Sequence, residues 1–245
     1  MRGNMNRENF RDGYVLMLDM LGFKERTADI KSDFIDCWRA LKKDIQRTAR
    51  EMKYGYDIHI NTLFLSDTII ICFSLKKNDH CDLNTLLLSI PELIQSFFLK
   101  YMEKSGIFFR GALSFGKFIF LSKENIVMGP ALNEAAEWYE STDWIGIILT
   151  PSAECKLRLI KTELYESIAM YDDFVEYKIP LKPGFPNISR FSIMWIGRHE
   201  YRSGDNDVLG RVLRTFASIS HSPKYSSKYI NTIRYIEDIL YPEQD

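Results

Sequence analysis

Two short apolar runs that end on acids constrain this chain more than any other feature. Tyr14-Val-Leu-Met-Leu-Asp19 leads into Met-Leu-Gly22-Phe23, and Leu63-Phe-Leu-Ser-Asp67 leads into Thr-Ile-Ile-Ile-Cys72. Each reads as a buried β run that delivers one carboxylate. A carboxylate closing an apolar strand is costly unless it is paired, hydrogen-bonded or bound to metal. Its occurrence twice predicts two acids converging on one cation. Gly22 permits a turn after the first run, which leaves successive backbone N–H groups of Leu21, Gly22 and Phe23 for an anion, with Lys24 or Arg26 adding charge.

The spacing of apolar residues places these runs in a fold. Ser32 opens a helix through about Lys53, with Phe34, Ile35, Trp38, Leu41, Ile45 and Met52 on one face and Lys42, Lys43, Arg47 and Arg50 on a solvated one. Tyr54-Gly-Tyr-Asp breaks it, and two β runs form a hairpin with Asp67 at its bend. Asn84 to about Lys104 is a broadly apolar helix, kinked or broken near Pro91 and ended by Gly106. Phe108–Phe115 and Lys117–Leu121 pair across Gly116. A short helix follows over about Ala131–Tyr139, then strands over Trp144–Leu149 and Ser192–Ile196, while Tyr165–Glu176 has no clear pattern. Ser222-Pro223 opens a terminal helix through about Leu240. This β-α-β-β-α-β-β-α-β order predicts an α+β sandwich, antiparallel at its centre, with helices packed on one face. The expectation is a single domain over residues 1–245, its core about 12–200 and its helical tail about 205–241.

Composition narrows the function. The 245 residues are 46% apolar, enough to bury a large core. Thirty-two basic side chains balance thirty-three acidic ones, with no basic block to hold nucleic acid. Cys37, Cys72, Cys81 and Cys155 have no metal-ligand or redox spacing, and His59, His80, His199 and His221 are dispersed. No run reaches the roughly 18 apolar residues that span a bilayer, and no secretory signal is visible. A cytoplasmic protein is expected, with neither membrane nor nucleic acid as partner.

In a ferredoxin-like arrangement the first strand and the hairpin are neighbours, so Asp19 and Asp67 sit side by side at one sheet edge. Two hard oxygen donors suit Mg²⁺ or Mn²⁺, completed by phosphate oxygens and water. A pair of such ions about 4 Å apart activates a hydroxyl and stabilises departing pyrophosphate. Arg110 reaches a triphosphate or partners a buried acid. Asn133 hydrogen-bonds ribose or phosphate, or caps its helix.

In this order the pieces resemble the class III nucleotidyl cyclases, a palm-type fold. Asp19-Met-Leu-Gly22-Phe23 answers the family's opening Asp-Ile-x-Gly-Phe, and Ser66-Asp67 its hairpin Gly-Asp. Arg110-Gly-Ala-Leu-Ser-Phe-Gly116 resembles Arg-x-Gly-Ile-x-x-Gly. Gly129-Pro-Ala-Leu-Asn133-Glu-Ala-Ala-Glu137 resembles Gly-x-x-x-Asn-x-Ala-Ala-Arg, with Glu137 where the family has its transition-state arginine. The family's base-reading positions fall on Leu63 and Ile126, which cannot read a purine in the usual way. In this the chain is most like the pyrimidine cyclases of the Pycsar anti-phage systems. The resemblance, over about residues 12–150, implies a homodimer with its site between subunits. It also implies conversion of UTP or CTP to cUMP or cCMP, two divalent ions on Asp19 and Asp67, and a downstream effector that senses the product. Asp19, Asp67, Arg110 and Asn133 would be catalytic. Leu21, Gly22, Phe23 and Lys24 would bind the triphosphate. The rival expectation is a catalytically silent cyclase-like module that binds nucleotide or protein.

Overall fold

The computed structural model describes residues 10–23, 32–56, 58–76, 82–163, 172–185, 189–196, 207–218 and 225–241. The first strand, β1 (Arg11–Leu21), leads to α1 (Ser32–Tyr56) and the hairpin β2 (Ile58–Leu65) and β3 (Thr68–Leu75). Helices α2 (Leu83–Gln95) and α3 (Phe98–Ser105) precede the long β4 (Phe108–Leu121), the short β5 (Ile126–Met128) and α4 (Pro130–Ser141). Then come β6 (Gly146–Leu149), α5 (Pro151–Glu163), β7 (Phe174–Tyr177), β8 (Arg190–Ile193), α6 (Asp207–Ala217) and α7 (Ser226–Leu240).

The strands form one sheet in the order β2-β3-β1-β4-β6-β8-β7, with β5 on the far end of β4. Only β4 and β6 run parallel; the other described pairs are antiparallel. The architecture is the α+β sandwich expected, with β1 and β4 at its centre; α4, however, packs on the face opposite α1, α2 and α3. Strand parity divides β1 between two cores. Tyr14, Leu16, Leu18 and Met20 enter the main core beneath α1, α2 and α3. Val15 and Met17 face a smaller cluster with Ile70, Cys72, Phe118 and Ala131 of α4. Asp19 continues this second face, which α4 covers only in part.

Several boundaries differ from those the sequence suggests. Helix α1 continues through Gly55 to Tyr56, and its basic residues are exposed as expected. The expected helix over 84–104 is two helices, but the break falls at Ser96-Phe97. Pro91 sits buried inside α2, and Asp82 rather than Asn84 caps the start by accepting from Thr85 N–H at 2.7 Å. Gly116 does not turn the chain. It faces Gly13 in continuous register, so β4 runs straight through, and the turn comes at residues 122–125 before β5. Helix α5, unforeseen, starts where Pro151 occupies a first-turn position that needs no N–H donor. Ser222-Pro223 lies outside the described residues, and the terminal helix is described from Ser226.

Candidate active site

Asp19 lies two residues before the end of β1, at the same strand parity as Val15 and Met17. Its register partners are Thr68 on β3 and Arg110 on β4. Cross-strand neighbours project to the same side, so the Arg110 side chain reaches Asp19 directly. Its Nε donates to Asp19 Oδ2 at 2.9 Å, with both side chains 16% exposed. The guanidinium also lies 5.2 Å from the centroid of the Tyr139 ring on α4. Gly111 makes this crossing possible: a Cβ there would stand 2.7 Å from Met17 O and 2.5 Å from Leu18 Cδ2.

Asp67 arrives from the hairpin. Leu65 pairs with Thr68, leaving Ser66 and Asp67 as a two-residue turn with Ser66 in the left-handed region (φ 51°). The turn is tied to β1 by Met20 N–H, which donates to Asp67 O at 2.8 Å. The two acids therefore line one cleft at one end of the strands. Burial pushes the Asp19 carboxyl above its usual value; Arg110 opposes this, and the negative charges of Asp67 and Glu140 add to it.

Met20, Leu21, Gly22 and Phe23 follow along the same wall. Gly22 has φ +73° with nothing within 4 Å of the place a Cβ would take, so the turn is open and left-handed. Together these residues line a cleft of about 400 Å³, a size suited to a small ligand. Asp19, Asp67, Arg110 and the Leu21–Phe23 segment thus line one cleft. Lys24 and Arg26 lie outside the described residues. Asn133 does not line the cleft: it is exposed on α4, as is Glu137 one turn later, while Ala131, Ala135 and Tyr139 of the opposite face pack inward.

Three further residues line the cleft to which the sequence assigned no site role: Lys182, Tyr225 and Lys228. Burial and the nearby charges of Arg110 and Lys228 push the Lys182 ammonium down. Lys182 follows Leu181, which bridges to Thr142, and its N–H donates to Ser141 O at 2.8 Å. The punctuation Lys182-Pro-Gly does mark that turn in the sequence, but nothing local shows that it faces Asp19.

As a metal site, the cleft offers two carboxylates and no cluster of three or more His, Cys, Asp or Glu side chains among the described residues. Two hard oxygen donors with the remaining positions open fit Mg²⁺ or Mn²⁺ shared with substrate phosphates.

No protein-family description matches the sequence, and no curated protein matches it. Solved structures do. A bacterial light-regulated adenylyl cyclase aligns over 84% of this chain and 57% of its own length, at 12% identity and a TM-score of 0.50. The fold is that of a nucleotidyl cyclase. The dimeric guanylyl cyclase domain of a fusion protein from the aquatic fungus Blastocladiella emersonii aligns over 75% of this chain and 96% of its own, at 14% identity and a TM-score of 0.46. Within the cyclase fold, Asp19 and Asp67 occupy one end of the central sheet, beside the open loop after β1. Among the described residues no helix is long and apolar enough to cross a membrane.

Proposed function

We propose that this chain is a metal-dependent nucleotidyl cyclase that converts UTP or CTP to the 3′,5′-cyclic monophosphate and pyrophosphate. The observation that carries this is the convergence of Asp19, Asp67, Arg110 and the Leu21–Phe23 backbone on one cleft. In the reaction the ribose O3′ attacks the α-phosphorus and the bond to the β-phosphate oxygen breaks. The hydroxyl proton ends on pyrophosphate or solvent.

Asp19 and Asp67 would hold two Mg²⁺ or Mn²⁺ ions, which when bound supply charge neutralisation and an acidified hydroxyl. The Leu21–Phe23 N–H groups hold β- and γ-phosphate oxygens. Among the described residues Arg110 binds Asp19 through Nε, which leaves its terminal nitrogens for the phosphates in this reading. Asn133 acts across a dimer interface, at the cleft of a second copy of this chain. Leu63 and Ile126 support a pyrimidine over a purine. Leu63 is buried in the smaller core, where it reads no base, and Ile126 has no polar side-chain group to offer. The proposed setting is cytoplasmic anti-phage defence, with the cyclic nucleotide sensed by a separate effector.

The test is incubation with each of four NTPs and Mn²⁺, followed by mass identification of products. A cyclic pyrimidine nucleotide is expected. Glu137, exposed where a cyclase would present arginine, favours a second reading, a silent nucleotide-binding module. Product from none of the four NTPs would establish that reading instead.

A further inference from the structure

The C-terminal helix reaches the nucleotide cleft from more than 200 residues beyond Asp19, and it arrives firmly anchored. Tyr235 and Ile236 of α7 are fully buried, and the Tyr235 ring packs edge-on against Trp144 at 4.7 Å between centroids. Thr232 Oγ1 accepts from Ile145 N–H at 2.9 Å, and Asn231 Nδ2 donates to Asp143 O at 2.7 Å. The helix is thereby fixed in rotation and height against the segment between α4 and β6.

That anchoring aims Lys228. Its side chain is only 10% exposed, and its Nζ donates to Asp143 Oδ1 at 2.6 Å. Burying an ammonium is costly even when paired, and replacing such a pair by apolar groups is commonly neutral or stabilising. A surface helix needs no lysine here to stay folded. An ammonium carries three donors, and Asp143 is the one acceptor it meets among the described residues. The others belong to a side chain that forms part of the cleft wall, together with Arg110 and Lys182.

We propose that Lys228 binds the terminal phosphates of the nucleotide, with Asp143 as the residue that positions it, so that α7 is part of the active site. This rests on the nucleotide reading above. Asp19 and Asp67, at the end of the central strands, would lie beside the α-phosphate. The lysines form the cationic side of the same cleft, where the most negative part of a triphosphate belongs. Burial pushes the Asp143 carboxyl up, but hydrogen bonds from Lys228 and Ser227 and the Lys228 charge outweigh it and hold it below its usual value, in keeping with an ionised partner for Lys228.

The experiment measures binding of inorganic tripolyphosphate to the full chain by calorimetry, for the wild type, Lys228→Gln and Lys228→Arg. Lys228→Gln should weaken binding about tenfold, the loss of one charge-assisted hydrogen bond, while Lys228→Arg retains most of it. In turnover, Lys228→Gln should raise KM for the triphosphate far more than it lowers kcat. Unchanged tripolyphosphate affinity in Lys228→Gln overturns the assignment, as does a wild type that cyclises NTP but binds no tripolyphosphate. Should Lys228→Gln fail to fold, hydrogen exchange on the wild type decides. Tripolyphosphate should slow exchange over 225–232, and unaltered exchange there overturns the proposal. Tripolyphosphate binding through Lys228 in a protein that makes no cyclic product keeps this inference and removes only the cyclase reading.

Discussion

At the scale of single residues, the site is a consequence of strand parity. Because Tyr14, Leu16 and Leu18 must enter the main core, Val15, Met17 and Asp19 take the other face, and Arg110 is placed there by its register with Asp19. Gly111 next to Arg110 is what lets β1 and β4 approach. Gly111→Ala forces its Cβ against Met17 O, a backbone atom that cannot swing away. Its expected cost is about 2 kcal/mol, typical of overpacking, measurable as a lower denaturant midpoint with unchanged slope. Asp67→Asn tests the chemistry instead. Asp67 is half-buried at a turn that the backbone bond from Met20 holds, so the substitution should leave the melting temperature unaltered. Turnover should fall by on the order of a thousandfold, since metal-borne charge stabilisation contributes several kcal/mol. A mutant that keeps wild-type turnover would remove Asp67 from the metal site. The two acids and Gly22 were readable in the sequence because each sits where an apolar run ends. Lys182 and Lys228 were not, because the Pro-Gly turn after Lys182 and the chain around Lys228 carry no local sign that either lysine faces the acids. Their placement depends on contacts to Ser141 and Asp143 made across the fold.

At the scale of elements, the sequence was most readable where periodicity and turn chemistry agreed. The Asp67 hairpin emerged as expected because two apolar runs flank a polar tip. The α2–α3 break did not follow Pro91, because tertiary packing overrode the local signal: Pro91 is buried, and the chain bends at Phe97, which fills the core between the helices. Gly116 reads as a turn in isolation, yet β1 pairs with β4 on both sides of it and keeps the strand extended. The packing of α1 against α3 carries a pH prediction. Lys100 and Tyr101 of α3 both donate to Asp44 of α1, and the Lys100 hydrogen bond leads in holding the Asp44 carboxyl below its usual value. A depressed carboxylate stabilises the fold above its unfolded pKa of about 3.9, and this is lost as pH falls through its lower folded value. Asp44→Asn should therefore lower stability near neutrality and flatten the acid limb of a melting-temperature profile below about pH 4. An acid limb as steep as the wild type's would show that the contact contributes nothing.

At the scale of the whole molecule, α4 separates the two halves of the expected machinery. On its inner face Ala131 closes the second core, Ala135 is buried, and Tyr139 steadies Arg110. Asn133 and Glu137 are four residues apart on the outer face, both exposed and both away from the cleft of their own chain. If Asn133 takes part in the reaction, it must do so at the cleft of another copy. A two-fold pair of chains satisfies this for both sites at once, because the contact of α4 on one cleft is repeated by symmetry on the other. The arrangement predicts complementation. Asp19→Ala loses the metal half of both sites in its own dimer, and Asn133→Ala loses the α4 half, so each variant alone should be inactive. Mixed in equal amounts and allowed to exchange, half the dimers are heterodimers. Each of these has one site with both defects and one with neither, so about a quarter of wild-type turnover should return. Recovery at that level would place Asp19 and Asn133 in one site drawn from two chains. Failure to recover, with exchange verified by native mass measurement, would assign Asn133 to the structure of α4 alone.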